Sequence, residues 1–247
     1  MRRLAAVLLL AAAFGAPACS AGAQASAPQL RVAAAASLQG AFEEIATAFR
    51  AAHPEIDLAP ITYDGSSTLA TQIAEGAPVD VAAFADEATM ARIDDQTEGP
   101  EIFATNSLVI AVPEGEGAVE TLEDLTDPGL DVVLCAPEVP CGAAARTALD
   151  AAGLVVDAAS LEQNVTAVAT KVAEGAADAG LVYRTDAAAI AGLDAVSDAR
   201  LDAVVNSYPI AVTRSTDAPD EAAAFVDFVT SDEGRGILVE AGFGAPQ

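Results

Sequence analysis

The stretch GSSTLATQIAEGAPVDVAAFAD, residues 65–86, contains a complete turn–helix–turn–strand unit. Asp64 and Gly65 supply a turn, two serines follow, and Leu69 and Ile73 fall four apart, on one face of a helix. Gly76 ends that helix, because glycine readily takes the left-handed backbone that helix termini favour. The Gly-Ala-Pro turn then leads into Val79 to Phe84, a short apolar run of strand length. Helices alternating with buried apolar strands build an α/β sheet of mainly parallel strands.

Working outward, the same alternation covers the chain. Leu30 to Ala35 reads as a strand, and the helix after it sets Leu38, Phe42, Ile45 and Phe49 on one face until His53-Pro54 stops it. Ile56 to Tyr63 reads as a second strand. Past the quoted unit come a helix near Glu87 to Asp94, a strand from Leu108 to Val112, another from Val132 to Cys135, and a helix over about Gly142 to Ala152. Val165, Val168 and Val172 form a helical stripe with Asn164 as its N-cap. Ala179 to Tyr183 is a strand, and Val204 to Val212 matches Leu108 to Val112 in length and character. The tail, Asp220 to Ala241, makes two helices, the second opened by Ser231. No internal repeat is visible.

The chain of 247 residues is long enough for one large domain or two lobes of about 100–120 residues. Its first residues belong to targeting. Arg2 and Arg3 precede an apolar run, Leu4 to Phe14, too short for the roughly 20 residues a bilayer span needs. Small residues then lead to Cys19, a pattern that resembles a bacterial lipoprotein signal. Residues 1–18 are therefore expected to be a signal peptide, Cys19 a lipidated first residue, and 19–29 a flexible tether. This places the protein outside the cytoplasm, anchored to the membrane by lipid.

Formal net charge is −26, and the leader removes two of 11 cations but none of 37 acids. Such a surface repels nucleic acid and anionic lipid. Any bound anion must be held by local dipoles against that field. Cys135 and Cys141 flank a five-residue loop; an exported chain makes a disulfide there plausible, with two free thiols or a metal pair as the competing readings. A metal pair would lack the further ligands that zinc requires.

Several strands run through a tight turn into a helix. Ser37 follows the first strand, Ser66 and Ser67 the second, and Cys141 and Val165 stand at helix starts in the middle of the chain. Helix starts offer unpaired N–H groups and the positive end of the macrodipole, so several converging on one cleft would hold a dianion. Residues 35–39, 139–143 and 164–167 contain no Lys or Arg. Neutral N–H and O–H donors suit a fully deprotonated oxyanion and disfavour a protonated phosphate, whose O–H needs an acceptor. Taken singly, Ser37 and Ser66 are most simply N-caps. An enzyme has little support: the single histidine, His53, sits beside Pro54 at a helix end, and Ser66 lacks the glycine spacing of a nucleophile elbow. No His/Asp/Glu cluster has cation-ligand spacing.

In AAAASL (33–38), GSSTLATQI (65–73), EGAPVDVAAFAD (75–86), NSLVIAVP (106–113), APEVPCG (136–142) and GLVYRTDA (180–187), the chain resembles the periplasmic molybdate-binding proteins of molybdate ABC importers, over about Leu30 to Gly244. The resemblance implies a two-lobed periplasmic-binding-protein fold of the second type, its lobes joined by two crossing strands. Leu108–Val112 and Val204–Val212 are the candidates for these. Lobe one would be residues 30–108 with 209–247, and lobe two residues 109–208. It implies that molybdate or tungstate is held between the lobes by the hydroxyls of Ser37, Ser66 and Tyr183 and the backbone N–H groups of Cys141 and Val165. No cofactor is implied. The implied partners are the oxyanion and a permease with its ATPase, the protein itself being a monomer. Same-fold receptors for sulfate, phosphate or another small anion remain the alternative. Asp64 beside Ser66 is a departure, since a carboxylate there could accept a proton from a phosphate-type ligand. Arg184 could face solvent or the cleft.

Overall fold

A computed structural model describes residues 29–115 and 119–246. The leader, Cys19 and the tether up to residue 28 lie outside the described residues.

Chain order is β1 (Val32–Ala35), a 3-10 turn (Ala36–Leu38), α1 (Gln39–Ala52), β2 (Thr62–Asp64), α2 (Ser66–Ala74), β3 (Val81–Ala83), α3 (Glu87–Ala91) and β4 (Thr97–Pro113). Then follow β5 (Val132–Cys135), α4 (Pro140–Ala152), β6 (Ser160–Glu162), α5 (Val165–Ala173), β7 (Ala179–Tyr183), α6 (Arg184–Ala189), β8 (Leu193–Val196) and α7 (Ala199–Asp202). The chain closes with β9 (Val205–Thr213), α8 (Pro219–Thr230) and α9 (Asp232–Glu240).

The strands form two α/β lobes with one plan. In the first, β2, β1 and β3 are parallel and β9 adds antiparallel to β3. In the second, β6, β5 and β7 are parallel and β4 adds antiparallel to β7, with β8 on the other side of β4. Strands β4 and β9 pair with each other, Asn106 opposite Asn206, and carry the chain between lobes.

The cores follow from the apolar spacing. Phe42, Ile45 and Phe49 of α1 are fully buried against Phe225 of α8. The rings of Phe42 and Phe225 lie 6.2 Å apart edge-on, as the ring quadrupole favours. Arg31 donates to Asp80 from both backbone (2.7 Å) and side chain (3.1 Å), locking β1 to the start of β3. At the crossing, Tyr208 packs edge-on against Phe103, Tyr183 and Phe243, so aromatic rings from both lobes share one cluster.

Several elements differ from expectation. The second strand is only Thr62–Asp64, with Leu58 making an isolated bridge to Leu30, because Pro60 cannot donate to a ladder. The run Leu108–Val112 is the second half of a 17-residue strand that begins at Thr97. Its first half, TEGPEIFAT, contains Gly and Pro and is exposed over Glu98–Glu101, so it lacks an apolar signal. The helix after β3 stops at Ala91. Strands β6 and β8 and helices α6 and α7 are too short to leave a periodic pattern. The cysteine pair is a disulfide, Cys135–Cys141.

Candidate functional site

The five residues expected to bind the anion come together. Ser37, Ser66, Cys141, Val165 and Tyr183 all line one cavity of about 20 Å³ between the lobes. One water needs roughly 10–15 Å³ by the same kind of measure, so this space suits a single compact species. None of the five is more than 8% exposed.

The cavity sits where strands end, the usual binding locus of open α/β sheets. Ser37 follows β1 and Ser66 follows β2; in the other lobe Cys141 follows β5, Val165 follows β6 and Tyr183 ends β7. Matching strands of two matching lobes thus aim their C-terminal ends at one point.

Each position has a local cause. Pro140 is the first residue of α4 and has no N–H, so Cys141 supplies the helix's first donor. The disulfide ties that residue to the end of β5, and the loop folds back so tightly that a Cβ on Gly142 would meet the Ala136 carbonyl at 1.9 Å. Asn164 caps α5, its side chain accepting from Ala167 N–H at 2.9 Å, which fixes Val165 as the first helical residue. The N–H groups of Cys141 and Val165 have no acceptor among the described residues.

Neither serine is an N-cap. Ala35 and Gly65 hold the cap positions, without side-chain bonds. The Ser66 hydroxyl instead accepts from Ala85 N–H at 3.0 Å, and the Ser37 hydroxyl pairs with that of Tyr208 at 3.0 Å. Tyr183 accepts from the Asn206 amide at 3.1 Å. Burial pushes the Tyr183 hydroxyl well above the usual phenol range, helped by Tyr208 and by the nearby Asp86 and Asp186 charges, so it stays protonated and able to donate. Burial also raises Tyr208.

No Lys, Arg, Asp or Glu lines the cavity. Asp64 is turned aside, accepting from Gly65 N–H at 2.7 Å and from the Asn164 amide at 3.3 Å. It does not line the cavity. Arg184 is exposed and paired with Asp202. Behind the site, Asp186 accepts from Tyr183 N–H at 3.2 Å, and burial raises its carboxyl to about 7.

The lobes touch around the cavity. Ser67 Oγ donates to the Glu138 carbonyl at 2.8 Å, Asn164 reaches Asp64, and Gly65 lies against the Gln163 backbone. These contacts hold the lobes together beside the cavity, so parting them would widen its access.

Sequence reasoning missed Gly65, Gln163, the Ala85 peptide, Asn206 and Tyr208. The last two had a signal: polar Asn206-Ser207-Tyr208 opens an apolar strand and ends up largely buried.

The family model of bacterial extracellular solute-binding proteins matches residues 30–244. The chain is 43% identical over 244 residues to molybdate-binding protein ModA of Mycobacterium tuberculosis, covering 96% of this chain and 93% of that protein. It is 30% identical over 228 residues to the putative ABC transporter substrate-binding lipoprotein YvgL of Bacillus subtilis, with 87% and 86% covered. Among solved structures, the periplasmic molybdate-binding protein of Azotobacter vinelandii superposes with a TM-score of 0.76 at 21% identity, covering 89% of this chain and all of that one. The chain belongs to the bacterial extracellular solute-binding proteins.

Proposed function

We propose that this solute-binding protein is the substrate-binding component of an ABC importer and carries molybdate or tungstate between its lobes. The observation that carries the reading is the convergence of five neutral donors from both lobes on a small cavity without a charged lining residue. Ser37, Ser66 and Tyr183 donate through hydroxyls, Cys141 and Val165 through backbone N–H groups, and the four oxygens of the anion share them. Hydrogen bonds to a charged acceptor are roughly twice as strong as neutral ones, and the starts of α4 and α5 add favourable dipole. A net charge of −26 therefore need not repel the ion once it is enclosed, because the local dipoles act at contact and the surface charge is screened. The relatedness to ModA supports the choice of anion, and the absence of a carboxylate from the cavity lining disfavours phosphate.

Closure buries the ion and presents both lobe faces to a permease, whose ATPase drives uptake. The chain acts as a monomer outside the cytoplasm, held to the membrane by lipid on Cys19, and does not catalyse a reaction. YvgL, a lipoprotein relative, supports the anchor.

Thermal unfolding of residues 19–247 is followed with molybdate, tungstate, sulfate and phosphate. Ligand raises stability as RT ln(1 + [L]/Kd). Submicromolar molybdate and tungstate should raise the melting temperature, and a thousandfold excess of sulfate should not. An equal response to sulfate, or a response to phosphate alone, overturns the assignment.

A further inference from the structure

We propose that the Ala85 peptide, Asn206 and Tyr208 turn the hydroxyl hydrogens of Ser66, Tyr183 and Ser37 toward the ligand, and that this orientation sets the site's rejection of protonated oxyanions. The inference rests on the function proposed above.

A hydroxyl can donate or accept, so three hydroxyls alone do not choose between a bare anion and one carrying a proton. The structure removes the ambiguity. Ala85 N–H can only donate, so Ser66 Oγ accepts from it (3.0 Å) and keeps its own hydrogen for the cavity. The Ala85 carbonyl can only accept, and it takes one amide hydrogen of Asn206 at 3.0 Å. This fixes which way the Asn206 amide faces. Its nitrogen also lies 3.1 Å from Tyr183 Oη and must donate there, so the Tyr183 hydrogen is likewise left for the ligand. One peptide group thus orients two hydroxyls.

The third is Ser37, 3.0 Å from Tyr208 Oη, where either group could donate. An anion beside Ser37 accepts its hydrogen, and Tyr208 then donates to Ser37. Tyr208 is fully buried and Asn206 is 7% exposed, so water does not compete for these bonds. With the hydrogen of each hydroxyl turned toward the ligand, the proton of hydrogen phosphate or hydrogen arsenate meets another hydrogen instead of a lone pair. Asn206 and Tyr208 are positioning residues; neither lines the cavity.

The test compares Tyr208→Phe and Asn206→Leu with the parent chain by titration calorimetry against molybdate, sulfate and phosphate. Mildly alkaline buffer leaves one proton on phosphate and none on the other two. Each variant frees one oxygen to accept. Molybdate affinity should fall about fivefold to tenfold, as for loss of one hydrogen bond, with sulfate falling by the same factor. Phosphate should hold or gain, so the molybdate-to-phosphate ratio drops at least fivefold while the molybdate-to-sulfate ratio stays within twofold. Unchanged ratios in both variants, or both ratios moving together, would mean a merely structural role and overturn the inference. The variants act on different hydroxyls, so if melting shows one to be unfolded the other decides. A parent chain that binds none of the three anions removes the functional reading, and this inference with it.

Discussion

Gly65→Ala separates closure from folding. Gly65 has φ −58, so alanine fits its backbone without strain. The obstacle lies across the cleft: an added Cβ would stand 2.2 Å from the Gln163 carbonyl oxygen, against 3.4 Å for ordinary contact. The lobes must therefore part locally by about 1.2 Å, the difference between those distances. A donor placed about 2.8 Å from an anion oxygen would then stand near 4 Å, beyond hydrogen-bond reach. Of the far-side donors, the backbone N–H groups of Cys141 and Val165 cannot follow the anion as the Tyr183 hydroxyl can by turning its side chain, and losing two bonds to a charged acceptor at about 1.5–3 kcal/mol each costs about 3–6 kcal/mol. Molybdate affinity should fall between a hundredfold and ten-thousandfold by titration calorimetry, and the melting temperature without ligand should move by less than about 2 °C. Affinity within threefold of the parent would refute the idea that closure against Gln163 completes the site.

Three further outcomes are expected. Ser66→Ala removes the acceptor for buried Ala85 N–H, so besides weakening the anion it should lower ligand-free stability by about 1–3 kcal/mol, read by urea unfolding. Asp186 has a folded pKa of about 7, raised by burial above its ordinary 3.8. The folded state thus holds the proton that the unfolded chain releases, and stability falls as pH rises from about 4 through 7, flattening above; Asp186→Asn should abolish that slope in melting curves. Reducing Cys135–Cys141, six residues apart, releases a short loop worth about 2 kcal/mol by loop entropy, and calorimetry with reductant should show melting about 4–8 °C lower.

Much of the site was legible because its parts are local. A turn and a helix start lie within a few residues of one another, so Ser37, Ser66, Cys141 and Val165 could be placed near helix starts, and Tyr183 at a strand end, without knowing the fold. The orienting layer was not legible. Asn206 acts on Tyr183 and Ala85 only because β9 lies beside β3 and β4, a pairing across more than 100 residues that no window reveals. The local rule also misjudged the serines: a serine before an apolar helix suggests a cap, yet long-range partners claim both hydroxyls. The matched plan of the lobes left no repeat, because shared topology constrains burial rather than residue identity.

The two crossing strands carry a further consequence. Strand β9 completes the first sheet although it follows the whole second lobe in the chain, and β4 completes the second although it leaves the first. Each half is missing an edge unless the other's segment arrives, so neither can persist as an autonomous fragment. Melting should be a single all-or-none event, and a cut between β4 and β9 should yield nicked chains that stay associated until they collapse together.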